Sequence, residues 1–235
     1  MKIINLIIIG LVLGVTTPAL AQSSNLTVDL LWSAETYQPP FYRGHSQAVP
    51  GSEVKVVAMV SGGSAANLNF TWQKDDKSLP ALSGRGRSNL TFQTAPSLAR
   101  HQIKVTISDQ GGRRLTDARV DINLVLPQVI FYASAPLVGP RYQQALASSL
   151  RLDQSSLSIL AEPFNFSRSA LNQLVYNWTV TQDGHKQVVS SPFWGGRLMT
   201  FEAAGAFDQT EINLAVKNPA AIRQAAEKKI ALHYD

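Results

Sequence analysis

Residues 68–79 read LNFTWQKDDKSL, residues 89–95 read NLTFQTA and residues 101–109 read HQIKVTISD. Leu68, Phe70 and Trp72 alternate with Asn69, Thr71 and Gln73, and Ile103, Val105 and Ile107 alternate with Lys104, Thr106 and Ser108. Period-two alternation places the apolar set on one face of a strand. The pattern returns about a hundred residues later: LVYNWTVTQDGHKQ (174–187), LMTFEAA (198–204) and TEINLAVKN (210–218). Each copy has a Trp in an alternating strand, an Asp-bearing turn, a short Phe strand and a strongly alternating strand. Two similar β-sandwiches in tandem are the expected fold.

Working outward, Val28, Leu30 and Trp32 lie in a first strand, and Val54, Val56, Ala58 and Val60 share one face of a second. Between them Pro39-Pro40 removes backbone donors, so residues 33–50 read as a loop or sheet edge. In the second copy Val129–Tyr132, Leu157, Ile159 and Ala161 repeat these strands. Expected boundaries are 25–126 for the first sandwich and 127–235 for the second. The core is assigned to Trp72, Phe92 and Val105 in the first, and to Trp178, Phe201 and Leu214 in the second. The short apolar joint Leu124–Pro127 predicts an elongated rod with limited bending. Two stretches carry a helical expectation. RYQQALAS (141–148) suits one or two helical turns. Asn218-Pro219 before AAIRQAAEKK predicts a short helix or turn ahead of the last strand.

At these residues the chain resembles the immunoglobulin-like and PKD-like repeats of bacterial surface proteins. LLWSAETYQPPFYRG (30–44), PGSEVKVVA (50–58) and NFTWQKDDKSL (69–79) are similar to uncharacterised two-domain exported proteins of candidate-phyla bacteria. The resemblance spans nearly all of the chain after the leader. Its motifs are structural, so it implies a fold and no activity. Trp72 is followed by Gln73-Lys74-Asp75-Asp76, where PKD repeats carry Trp-Asp-Phe-Gly-Asp-Gly, and the antibody-type cysteine pair is absent.

Met1-Lys2, the apolar run Ile3–Val15 and Ala19-Leu20-Ala21 form a secretory signal peptide over residues 1–21. No later segment is long and apolar enough to span a bilayer as a helix. The 235 residues include 21 Lys and Arg, 16 Asp and Glu and no Cys, a net charge of +5. Absence of cysteine excludes disulfides, thiolate metal sites, cysteine nucleophiles and a lipoprotein anchor. The small basic excess is scattered, where nucleic-acid binding needs a clustered stripe.

Catalytic motifs are missing: there is no Gly-x-Ser-x-Gly elbow, His-Glu-x-x-His or phosphate loop. His45, His101, His185 and His233 lie on four elements without ligand spacing and read as surface residues. Gly84-Arg85-Gly86-Arg87-Ser88 reads as a flexible basic loop. Glu35, Glu53, Asp75, Asp76, Asp109 and Asp183 fall in turns or at outward positions, with turn-making as their default role. No cofactor or metal is expected. The best candidate contact surface is the aromatic segment with Tyr37, Phe41, Tyr42 and Arg43, residue types enriched at interfaces. The competing reading packs its rings back over the sandwich edge. The expected function is an exported, non-enzymatic structural or adhesive module of the cell envelope or extracellular space, with a protein or glycan partner. The alternatives are a carbohydrate-binding module using Trp194, Phe193 or Tyr42, and an accessory subunit of an envelope filament or secretion complex.

Overall fold

The computed structural model describes residues 26–152, 156–190, 194–202 and 209–234. The expected leader, residues 1–21, lies outside the described residues. The first half contains β1 (Thr27–Ala34), β2 (Glu53–Ser61), β3 (Asn69–Lys74), β4 (Lys77–Ser78), β5 (Gly84–Arg85), β6 (Asn89–Gln93), β7 (Arg100–Ser108) and β8 (Arg114–Asn123). One sheet has the order β1-β2-β6; the other runs β4-β3-β7-β8, with β5 against β3.

The second half contains β9 (Gln128–Ala135), β10 (Gly139–Ala145), β11 (Ser149–Leu152), β12 (Ser156–Phe164), β13 (Val175–Gln182), β14 (His185–Val189), β15 (Leu198–Glu202), β16 (Gln209–Lys217) and β17 (Ala225–Tyr234). Its sheets are β10-β9-β12-β15 and β11-β17-β16-β13-β14. The set β1-β2-β6 facing β3-β7-β8 therefore recurs as β9-β12-β15 facing β13-β16-β17. This is the two-sheet, sequence-distant pairing of immunoglobulin-like sandwiches, and the chain carries two of them in tandem.

Each sandwich has its own core. One cluster of buried side chains is drawn from Val28 to Ile122 and the other from Val129 to Leu232. Trp72 and Val105 are fully buried in the first, beside Phe70, Ile103 and Ile107, while Phe92 packs partly buried at its margin. In the second, Trp178 stacks on Phe131 at 5.5 Å and meets Phe201 edge-on, with Leu214 buried alongside. A buried indole needs a partner for its N–H. Trp72 donates to the carbonyl of Arg87 (2.8 Å) and Trp178 to that of Gly196 (2.7 Å). The same anchor has thus been built twice.

Of the two stretches with a helical expectation, the first is corrected and the second resolves to its turn alternative. Residues 141–145 belong to strand β10 and 146–148 connect it to β11, with no helical turn, because Tyr142 lies between Phe41 and Tyr132 on a sheet face. Residues 218–224 form a turn and no helix. The Asn218 side chain accepts from the Ala220 N–H and donates to Gln224, and the Ala-, Glu- and Lys-rich stretch that follows pairs with β16 as β17. Tertiary pairing overrides helix propensity in both places. Nor is the basic stretch at 84–88 a free loop. Arg85 donates to Ala66 O and Asn67 Oδ1, and Arg87 donates to Ala81 O.

Candidate functional site

The segment after β1 crosses from one sandwich to the other. Residues 36–38 pair with residues 165–168, and Pro39 then opens a turn that the Tyr42 N–H closes onto its carbonyl (2.9 Å). Thr36 bridges Ser167 in antiparallel fashion. The Tyr37 N–H donates to Phe166 O (2.7 Å), the Asn165 N–H to Tyr37 O (2.9 Å) and the Arg168 N–H to Glu35 O (3.0 Å). The Gln38 amide donates to Asn165 Oδ1. Phe41 then stacks on Tyr142 at 4.2 Å and meets Tyr132 and Phe164 edge-on. Tyr42 touches Phe164 edge-on and remains 43% exposed; Arg43 is exposed.

This arm explains a burial pattern that a lone sandwich does not produce. On β12, Ile159 and Ala161 belong to the core, so Leu160, Glu162 and Phe164 point outward, yet all are buried. Tyr132 on β9 is likewise buried on the outer face. The candidate residues therefore divide: Tyr37 and Phe41 are committed to the second sandwich, and Tyr42 and Arg43 face solvent at its rim.

Glu162 sits beneath the arm, 1% exposed. A buried carboxylate requires a counter-charge and hydrogen bonds. Arg197 supplies an ion pair to one oxygen, and the Tyr37 hydroxyl donates to the other at 2.9 Å. Burial, helped by the Glu162 charge, pushes the Tyr37 phenol up to about 12. Burial and then Glu162 also raise Tyr132 and Tyr142. Tyr176 is pushed up to about 12, chiefly by burial. With both oxygens of Glu162 engaged, the group ties arm to sheet. A single acid in the apolar run ILAEPF (159–164) was the sequence signal for it.

Gln224 makes the second tie. It is fully buried, donating to Pro50 O (3.0 Å) and Ser167 Oγ (2.7 Å) and accepting from Ser167 N and Asn218 Nδ2. One amide thereby joins the turn before β2, the strand end after β12 and the turn before β17. Beside it opens a groove of about 780 Å³, lined from both sandwiches by Gln93, Thr94, Ser169, Gln173, Ile222 and Arg223 among others. A hollow of about 510 Å³ shares Gly51, Gln93, Ser167 and Ser169 with it and extends past Arg168 to Lys55. Neither hollow is lined by an aromatic ring among the described residues.

His101 corrects the expectation of a surface histidine: it is fully buried. Its Nε2 accepts from the Ala95 N–H (2.9 Å), which places the proton on Nδ1, 2.6 Å from Asp75 Oδ2. Burial raises the Asp75 pKa, but the Gln102 N–H and His101 more than offset it, so the net shift is downward. Both ring nitrogens are occupied, so the pair braces the β3–β4 turn against β7. The other histidines differ from it: His45 meets Trp32 edge-on, and His185 is exposed. Among the described residues no three His, Asp or Glu side chains converge as a metal site, and no helix is long and apolar enough to cross a membrane. Phe193 and the Trp194 side chain lie outside the described residues.

No protein-family profile matches the sequence, and no curated protein does. Solved structures with similar architecture include three N-terminal domains of the bacteriophage RB49 outer capsid protein Hoc, at 15% identity and a TM-score of 0.42. That match covers 89% of this chain and 59% of the Hoc chain, so the present chain spans less than two thirds of it. The Ig1–Ig3 ectodomain of mouse nectin-like molecule 4 matches at 15% identity, TM-score 0.31, covering 90% of this chain and 64% of that one. The fibronectin(III)-like modules of Clostridium thermocellum CbhA match at 13%, TM-score 0.27, covering 87% and 94%.

Proposed function

We propose that this chain is an exported, non-enzymatic interaction or spacer module of the cell envelope or extracellular space, with domains at 25–126 and 127–235. The observation that supports this is the double tie at the joint. The arm pairs with residues 165–168 and covers the outer face of β9 and β12, and Gln224 links both halves from within. Two sandwiches fastened in this way present their loops and groove in a fixed relation, which suits recognition by a composite surface. Two of the buried titratable groups have structural partners: His101 with Asp75, and Glu162 with Arg197 and Tyr37.

In-cell crosslinking in the native host, followed by mass spectrometry of the crosslinked peptides, tests the reading. A protein partner joined through loops or the joint is expected. Turnover of a small molecule by the purified chain, or no partner at all, overturns it.

A further inference from the structure

Accepting that reading, we infer that the groove at the joint binds an extended, acidic segment of a partner protein. Three features converge on it. Its floor is rigid, because Gln224 has both amide atoms engaged and Asn218 closes the 218–224 turn with its side chain. That turn holds Ile222 out at 95% exposure directly beside Arg223. An apolar side chain held out on a hydrogen-bonded turn next to an arginine has the make-up of an interface anchor with its polar neighbour.

The groove's charge is also unbalanced. Glu35 and Glu53 at its far end are both taken by Lys55, at 2.9 and 3.8 Å. Arg223 lines one hollow and has no acid within ion-pair distance among the described residues, while Arg168 lines the other and acts on Glu35 at longer range, so that three cations face two acids along the lining. Guanidinium groups favour carboxylates, which they grip through two parallel hydrogen bonds. The chain's net charge of +5 adds attraction at longer range.

Occupant shape follows from the lining. Two connected hollows run along the joint, their walls carrying amide and hydroxyl groups of Gln93, Ser169 and Gln173. These suit the alternating backbone donors and acceptors of a peptide, with an apolar side chain set against Ile222. A sugar chain is disfavoured, because the lining offers no aromatic face for stacking.

The test uses the full mature chain and a display library of short random peptides. Enriched peptides are expected to carry Asp or Glu flanking an apolar residue and to lose affinity as salt rises. Arg223→Glu and Ile222→Asp should each weaken them by about tenfold or more, as removal of an interface anchor does. Arg119→Glu, an exposed charge reversal on β8, should leave them unchanged. All three positions are exposed, so unaltered thermal melts will separate lost binding from lost folding. Peptides without acidic bias, equal losses in Arg119→Glu and Arg223→Glu, or binding of acidic polysaccharide alone would each overturn the inference. If host crosslinking joins a partner through another surface, this inference falls while the interaction-module reading stands.

Discussion

The two sandwiches share a plan and differ most in the segment that follows their first strand. In the second, that segment folds back as β10 on its own sheet and then runs as β11, parallel to β17 over Ser149–Leu152. Both sheets gain a strand. In the first, the corresponding residues leave the sandwich, and all that remains of the parallel pairing is one bridge, Ala48 to Leu124. One position in the plan thus extends sheet edges in one copy and fastens the two copies together in the other. Local chemistry contributes: the pair Pro39-Pro40 removes two successive N–H donors, whereas β10 has a single proline, Pro140, near its start and a donor at every position from 141 to 145.

Loss of either tryptophan should have the largest effect. Trp72→Ala and Trp178→Ala each empty a core and should cost about 3–5 kcal/mol, read by denaturant titration. Two ties at the joint predict that either substitution shifts one shared transition. Two separate transitions, each answering to its own tryptophan, would show the sandwiches to be energetically independent.

Next in size are changes at the arm. Glu162→Ala leaves Arg197 and Tyr37 without their partner and should cost about 3 kcal/mol, the lower end for a broken buried pair because Arg197 is partly exposed. Phe41→Ala should cost about 2–3 kcal/mol, less than removal of a fully buried ring. Although Phe41 belongs to the first half of the chain, hydrogen exchange should accelerate in β9, β10 and β12 and not in β7. Faster exchange confined to β1 and β2 would contradict the placement of the arm.

An alkaline titration sharpens the contrast further. The Tyr37 and Tyr176 phenols stand at about 12 in the folded chain against 10.0 for the free group. Below pH 10 both states hold these protons and the contribution is intact. Between 10 and 12 the unfolded chain releases protons that the folded chain keeps, so stability should fall as pH rises. Tyr37→Phe should flatten that slope in part, with Tyr176, Tyr132 and Tyr142 supplying the remainder. An unchanged slope would sever Tyr37 from Glu162.

The smallest effect concerns the matching hairpin turns. The second sandwich uses Asp183-Gly184, with φ of 48° and 79°, while the first uses Asp75-Asp76, at 52° and 61°. Both central residues of such a turn are left-handed, a conformation that glycine adopts without steric cost. Asp76→Gly should therefore stabilise the first sandwich by up to about 1 kcal/mol, visible as a small rise in melting temperature.

The strands were legible in the sequence because period two is written into both copies, around Trp72 and Trp178 alike. The joint was not. Tyr37 and Phe41 were recognisable as contact-forming residues, but neither the 165–168 edge that Tyr37 pairs with nor the Tyr132, Tyr142 and Phe164 rings that receive Phe41 carry a mark of a surface awaiting a partner. Gln224 lies in a stretch whose alanines and lysines suggest a helix, and an amide gains its meaning only from the three elements it joins. His101 opens an alternating strand as any surface residue does; its burial depends on Asp75, which sequence spacing alone reads as a turn-former. Side chains whose role is set by a neighbour distant along the chain leave no local pattern to read.

The arm also imposes an order of assembly. A ribosome completes Tyr37 125 residues before it reaches Glu162, and N-terminal units fold first during synthesis. From the completion of β8 at Asn123 until β12 is made, the first sandwich carries an aromatic strap with nowhere to rest. The finished second sandwich acts as the cover that ends the exposure.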